Sequence, residues 1–136
     1  MAHACVVCDN PAGAPYDVLV ALTHSWATAP LRACLPGYVC LVARRHVIEP
    51  FELDDGGGWW AECMVVARAL KAELGYRKLN YEIHGNTVPH LHLHLYPRFD
   101  GDPFVGRPID GSSQRYERTA DDLNRLRHAI ESAVIA

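Results

Sequence analysis

The sequence predicts an α+β fold. Three observations carry that expectation: several short β-rich runs bounded by turn residues, one amphipathic helix between them, and a second capped helix that closes the chain. The 136 residues amount to one domain's worth of protein, expected to span 1–136 around one core without disulfide staples. Hydrophobic residues make up 49% and charged residues 21%, the balance of a globular domain and not of a disordered tail.

The elements follow in order. Cys5 and Cys8 form a CxxC pair, and Asn10, Pro11, Gly13 and Pro15 make the surrounding stretch a loop or knuckle. Asp17 to Leu22 reads as a strand, and polar and small residues follow it to Pro30. The turn signal Pro36-Gly37 leads into Tyr38-Val39-Cys40-Leu41-Val42, a second β-rich run. Pro50 to Gly58 is acidic and glycine-rich, as befits the approach to a helix. Trp59, Cys63, Val66, Leu70 and Leu74 then recur at three- and four-residue steps as far as the stop at Gly75. Leu79 to Ile83 reads as another strand, broken by Gly85-Asn86. Leu91, Leu93 and Leu95 alternate strictly with His90, His92 and His94, which predicts a strand over 90–96. Residues 97–110 lack periodicity. Thr119 to Asp122 approximates a capping box for a helix over about 119–135, whose apolar stripe is Leu123, Leu126, Ile130, Ala133 and Val134.

Thirteen Lys and Arg against 16 Asp and Glu leave a formal net charge of -3. A binder of nucleic-acid polymer working by bulk charge is thereby excluded, since such domains present a basic face. Any phosphate chemistry must come from a focused site. No apolar run reaches about 18 residues, so no membrane helix is expected. Met1 to Cys5 lacks the pattern of a secretory signal. The expected location is the cytoplasm, where the five cysteines would be reduced thiols. Cys34, Cys40 and Cys63 sit in apolar surroundings and read as small core residues. His3 and His24 read as surface residues, and His128 falls on the polar side of the last helix.

The unusual count is 8 His. At that frequency roughly 0.03 chance HxHxH triplets are expected in a chain of this length by simple template counting. Three His at alternate positions of a strand point to one face, about 6.6 Å apart per two-residue step. A solvent face would more naturally carry Lys, Glu or Thr, so imidazoles in register suggest metal ligation, proton transfer or nucleophilic attack. Gly85-Asn86-Thr87-Val88 forms a tight polar loop able to receive an anion. No Asp or Glu lies between Gly85 and Arg98. Donors without carboxylates suit a phosphate, which a carboxylate would repel.

His90-Leu91-His92-Leu93-His94-Leu95-Tyr96 resembles the signature of the histidine triad (HIT) family of nucleotide hydrolases and transferases. The likeness continues in Pro97-Arg98, Gly85 to Val88, Leu35 to Val39 and Arg44 to Val47, and covers about residues 5–110. The resemblance implies an antiparallel sheet of about five strands with two helices. It also implies cleavage at the α-phosphate of a nucleoside phosphoramidate or dinucleoside polyphosphate. By matching positions it makes His92 the nucleophile that forms a nucleotidyl-imidazole and His94 a donor to the phosphate oxygens, with polar phosphate contacts from Asn86 and Thr87. Asn80 alternates with Glu82 and His84 on one strand face and is a further candidate for the substrate. Relatives that hold structural zinc with a CxxC and two His imply a site of Cys5, Cys8, His46 and His90. No organic cofactor is expected. The family habit of pairing protomers through the helix and an edge strand implies a homodimer, and of the adjacent Trp59 and Trp60 one is expected to face the partner.

Three features depart from the family pattern. Tyr38 stands where the dinucleoside-polyphosphate branch has His after Pro-Gly. The loop between Ile83 and His90 is shorter than in several branches. No equivalent of the usual ribose-binding Asp or Asn stands near Pro30 and Leu31. Two further classes stay open at this stage. One is a nucleotide-binding or sensing module with little turnover. The other is a hydrolase whose zinc is held by all three triad His, although the outer pair of such a strand is about 13 Å apart at the backbone.

Overall fold

The computed structural model describes residues 5–10 and 14–135; His3, Pro11 and Gly13 lie outside the described residues. Seven strands run in chain order as β1 (Val18–Ala21), β2 (Ser25–Thr28), β3 (Arg32–Ala33), β4 (Val39–Ala43), β5 (Lys78–Glu82), β6 (His92–Arg98) and β7 (Tyr116–Glu117). The helices are α1 (Gly56–Leu74) and α2 (Ala120–Val134). Five strands form an antiparallel sheet in the order β1-β2-β4-β6-β5, while β3 and β7 pair separately. The expected α+β architecture of five antiparallel strands and two helices is therefore the one observed. No helix among the described residues is long and apolar enough to cross a membrane.

Register divides the sheet into an apolar face and a chemical face. β4 and β6 pair Val39 with Leu95, Cys40 with His94, Leu41 with Leu93 and Val42 with His92. Val39, Leu41, Leu93 and Leu95 turn toward the helices and pack with Trp59, Cys63, Val66, Leu70, Leu126 and Ile130. His92 and His94 are thereby forced to the other face. Truncating a leucine as buried as Leu93 or Leu95 would cost about 2–5 kcal/mol. Cys34, Cys40 and Cys63 are all buried, as their surroundings in the sequence required.

Three sequence expectations need correction. The strand expected over 90–96 begins at His92 and runs to Arg98, so His90 and Leu91 precede it. Pro97, read as the start of irregular chain, is inside β6. Pairing with β4 stops at Leu95, and Pro97 faces Leu79 of β5 beside a bond from the Arg77 N–H to the Arg98 carbonyl. Its missing N–H therefore has no ladder to break. The polar stretch before Pro30 contains β2, every residue of which is buried. The Ser25 hydroxyl accepts from the Trp59 indole at 3.0 Å, and the Thr28 hydroxyl donates to the Cys40 carbonyl at 2.9 Å. Those internal bonds let hydroxyls occupy a sheet interior.

The ends of α1 have local causes. The Asp55 carboxylate accepts from the Gly58 N–H at 2.9 Å, and Gly75 closes the helix in the left-handed region at φ 65°. Close approach explains Gly37: a Cβ there would stand 2.4 Å from Leu74 Cδ1 and 3.0 Å from Pro97 Cγ. A capping box between Thr119 and Asp122 starts α2.

After β6 the chain is pinned by one ion pair. Arg98 donates to both oxygens of Asp102, at 2.7 and 2.8 Å, and Asp102 also accepts from the Phe99 and Phe104 N–H groups. Phe104 is thereby seated against Cys34, Leu35 and Tyr96. The Arg98 hydrogen bonds hold the Asp102 carboxyl down at about 2. A depressed carboxylate stabilises the fold fully above its ordinary range and loses that contribution as pH falls toward about 2. Asp102→Asn is expected to lower unfolding free energy at neutral pH by about 1.5–3 kcal/mol in denaturant titrations and to flatten the acid limb of the stability profile. Equal midpoints for wild type and variant would show that this pair does not hold the loop.

Candidate active site and metal centre

The triad does not act as one row of three. His90, just ahead of β6, is buried to 1% exposure and turns its ring toward the N-terminal knuckle. Its Nε2 lies 2.7 Å from the Ala43 carbonyl, which can only accept, so Nε2 carries a proton and Nδ1 is the nitrogen left to ligate. Around Nδ1 stand Cys5 Sγ at 3.5 Å, Cys8 Sγ at 3.6 Å and His46 Nδ1 at 3.1 Å; Cys8 Sγ is 3.2 Å from His46 Nδ1. The four ligand atoms all lie within 4.8 Å of one another. Tetrahedral zinc with ordinary Zn–S and Zn–N lengths gives ligand–ligand edges of about 3.3–3.8 Å. Two thiols and two imidazole nitrogens converging at that scale can hold a metal ion, and the bond from His90 to Ala43 supplies the outer partner that orients a ligating histidine. The sequence expectation of Cys5, Cys8, His46 and His90 as one cluster is met by the geometry.

His92 and His94 stay together on the open face, their rings edge to face at 4.8 Å. His92 Nδ1 is 2.6 Å from the His90 carbonyl. A carbonyl cannot donate, so Nδ1 carries the proton and Nε2 is the free lone pair. Burial, with His92 and His84 alongside, pushes His94 down to about 4, so its ring is neutral near pH 7. His94 Nδ1 lies 2.7 Å from the Tyr38 hydroxyl. The Tyr38, His94 and Tyr96 rings stack nearly parallel, with centroids 5.0–5.8 Å apart.

The remaining candidates are scattered around this pair. Asn86 and Thr87 are exposed in the β5–β6 loop. Asn80 accepts from Arg98 at 2.8 Å, which ties its carbonyl into the Arg98–Asp102 cluster. The sequence placed Glu82 on one strand face with Asn80 and His84 but gave it no place at the triad: it lies opposite His94 in the β5–β6 register and its Oε1 is 2.8 Å from His84 Nε2. The His84 ring stands 6.0 Å from that of His94. Only the register could have revealed this, because Glu82 precedes the loop in the chain. His24 Nε2 is 4.0 Å from the Asp55 carboxylate.

The fold and site define a small α+β protein whose central sheet carries a paired imidazole site on one face beside a Cys2His2 cluster able to hold a metal ion. The HIT domain profile matches residues 12–101, and the chain belongs to the HIT domain family. A bifunctional bis(5'-adenosyl)-triphosphatase/adenylylsulfatase from Arabidopsis thaliana is 32% identical over 107 residues, spanning 70% of this chain and 59% of that protein. The chain thus covers less than two thirds of that relative's length. Among solved structures, a histidine triad protein from Bradyrhizobium japonicum superimposes with TM-score 0.75 at 30% identity, covering 86% of this chain and 89% of the other. A zinc-bound histidine triad protein from Mycobacterium smegmatis gives TM-score 0.68 at 22% identity over 96% of each chain, a likeness of fold.

Protein purified without added metal is expected to contain one equivalent per chain by elemental analysis. Cys8→Ala should empty the site and lower Tm by several degrees, with a smaller effect on the rate of the protein that remains folded. Absence of metal in the wild type, together with an unchanged Tm in the variant, would reduce the knuckle to a turn.

Proposed function

We propose that this chain is a nucleotide hydrolase that cleaves at the α-phosphate through a covalent intermediate on His92. The observation that carries the reading is the contact between His92 Nδ1 and the His90 carbonyl at 2.6 Å. It fixes the tautomer in which Nε2 is nucleophilic. In the first step the Nε2 lone pair forms a bond to the α-phosphorus, and the bond from phosphorus to the leaving group breaks with its electron pair going to that group. In the second, water attacks the same phosphorus. The phosphorus–nitrogen bond breaks, its pair returns to Nε2, and the water's proton leaves with the solvent or the departing group. The products are a nucleoside monophosphate and the protonated leaving group. His94, neutral near pH 7, offers an N–H to the non-bridging oxygens, as do Asn86 and Thr87 from the loop.

The substrate class is a nucleoside phosphoramidate or a dinucleoside polyphosphate. Support comes from the family and from the Arabidopsis relative, whose name specifies bis(5'-adenosyl)-triphosphate and adenylylsulfate. The metal is zinc, on the strength of a donor set of two thiols and two imidazoles. Such a closed set braces the fold and leaves no position for substrate. A panel of phosphoramidates, dinucleoside polyphosphates and nucleotidyl sulfates compared by kcat/KM identifies the leaving group.

His92→Asn keeps side-chain size but removes the nucleophile, so turnover should fall by several orders of magnitude while substrate binding persists. Replacing His94 should cost less, on the order of 10²–10³. Rapid quenching of the wild type should trap a nucleotidyl adduct on the peptide containing His92. An adduct elsewhere, or full activity in His92→Asn, would overturn the mechanism.

A homodimer fits the free edge of β5. Trp59 is buried and its indole bonds Ser25, but Trp60 is 44% exposed, beside Tyr81 at 42% and Ile83 at 40%. The Trp60 and Tyr81 rings lie 6.3 Å apart, so helix and edge strand present one apolar patch. Sedimentation is expected to give twice the chain mass, and Trp60→Lys to weaken the association. A wild-type species of one chain's mass at high micromolar concentration would remove the dimer.

A further inference from the structure

Tyr38 sits at the turn into β4, where its ring reaches across to the triad. Its backbone is fixed from outside the sheet: buried Arg118 donates to the carbonyls of Pro30, Pro36 and Tyr38, the last at 2.6 Å. Its ring plane is fixed by stacking on buried Tyr96, with centroids 5.0 Å apart at 18°. The hydroxyl therefore arrives at His94 Nδ1, 2.7 Å away, with little freedom. Burial pushes the Tyr38 hydroxyl far above its ordinary range, so the group keeps its proton. A phenol O–H is a far stronger donor than the N–H of a neutral imidazole, and a bare imidazole nitrogen is a better acceptor than a phenol oxygen. The short contact is therefore made with the Tyr38 hydroxyl donating to His94 Nδ1.

We propose that Tyr38 is a positioning residue that donates its hydroxyl proton to His94 Nδ1 and so holds His94 as the neutral tautomer with its proton on Nε2. This rests on the reading of His94 as a donor to the phosphoryl oxygens. The two imidazoles of the working pair need opposite tautomers: His92 must present a bare Nε2 and His94 an Nε2–H. Two different local groups impose them. The His90 carbonyl accepts from Nδ1 of His92, and the Tyr38 hydroxyl donates to Nδ1 of His94. Without Tyr38, a neutral His94 would be free to place its proton on Nδ1 and turn a lone pair toward an anionic phosphate, which repels it. Stacking alone does not supply this, because a phenyl ring stacks equally well.

The test compares wild type with Tyr38→Phe, which keeps the stack and deletes the donor. Long-range 15N–1H correlation spectra of the resting protein are expected to show His94 protonated on Nε2 in the wild type and mixed between nitrogens in the variant. On the best substrate of the panel kcat should fall about 10- to 100-fold, with KM changed less than about threefold. A wild-type His94 protonated on Nδ1, or a variant with the wild-type tautomer and kcat, overturns the proposal. The spectra need no substrate, so the wild-type measurement decides even if the variant is unstable. A wild type that has the Nε2–H tautomer but forms no nucleotidyl adduct would overturn the function above and leave the placement of Tyr38 standing.

Discussion

The buried ring of His90 is the constraint on which the site depends. One residue makes three commitments at once: Nε2 to the Ala43 carbonyl of β4, Nδ1 to the knuckle cluster, and its own carbonyl to His92 Nδ1. A histidine buried to 1% exposure is tolerable only when both nitrogens have partners, and here each partner belongs to a different part of the chain. The N-terminal knuckle is thereby tied to the central strands, and the tautomer of the adjacent imidazole is set by the same backbone. Because the His90 carbonyl is fixed by this anchoring, a disturbance at the cluster reaches His92 through one peptide unit.

The sheet supplies the second requirement, which is separation. Alternation along β6 sends Leu93 and Leu95 into the helical layer and His92 and His94 to the other side. The leucines resist any slip of register, since a shift of one residue would bury two imidazoles and expose two fully buried leucines. The same register carries Tyr96 and Arg98 along the face of His94 and aligns them with Asn80 and Lys78 of β5. Arg98 then anchors the chain that follows, and Arg118, arriving from beyond β7, fixes the turn that holds Tyr38. Elements distant in sequence therefore converge on the His94 ring through backbone carbonyls and stacked aromatics.

How much of this was legible in the sequence depended on whether a residue's role was local or came from register. The strict alternation from His90 to Leu95 showed a strand and its two faces, and the spacing from Trp59 to Leu70 showed a helix. The family resemblance gathered Cys5, Cys8, His46 and His90 before any coordinate did. The strand β2 was not legible, because Ser25 and Thr28 look like linker residues until Trp59 and Cys40 supply their partners. His90 looked like a strand residue, yet its ring is drawn off to the knuckle cluster and β6 starts two residues later. Glu82 was invisible as a neighbour of the triad, since only the pairing of β5 with β6 brings it opposite His94. Tyr38 stood out merely as a departure from a pattern, and its meaning lies in the 2.7 Å to His94.

The electrostatic logic of the face follows from these placements. The chain carries a formal charge of -3, so long-range attraction does not draw a nucleotide to it. Recognition must rest on short-range donors, and under the proposed function the Nε2–H of neutral His94 is one of them. A protonated imidazole at His92 would hold phosphate well and attack it badly, because its lone pair would be occupied. In the proposed mechanism His94, kept neutral by burial and by the imidazoles beside it, stabilises charge that develops on the oxygens without making its neighbour harder to use as a nucleophile. The nearby carboxylate of Glu82 is engaged by His84, which limits its repulsion of an incoming phosphate. In the proposed function, tautomers fixed by a carbonyl on one side and a hydroxyl on the other thus replace net positive charge as the means of handling an anion.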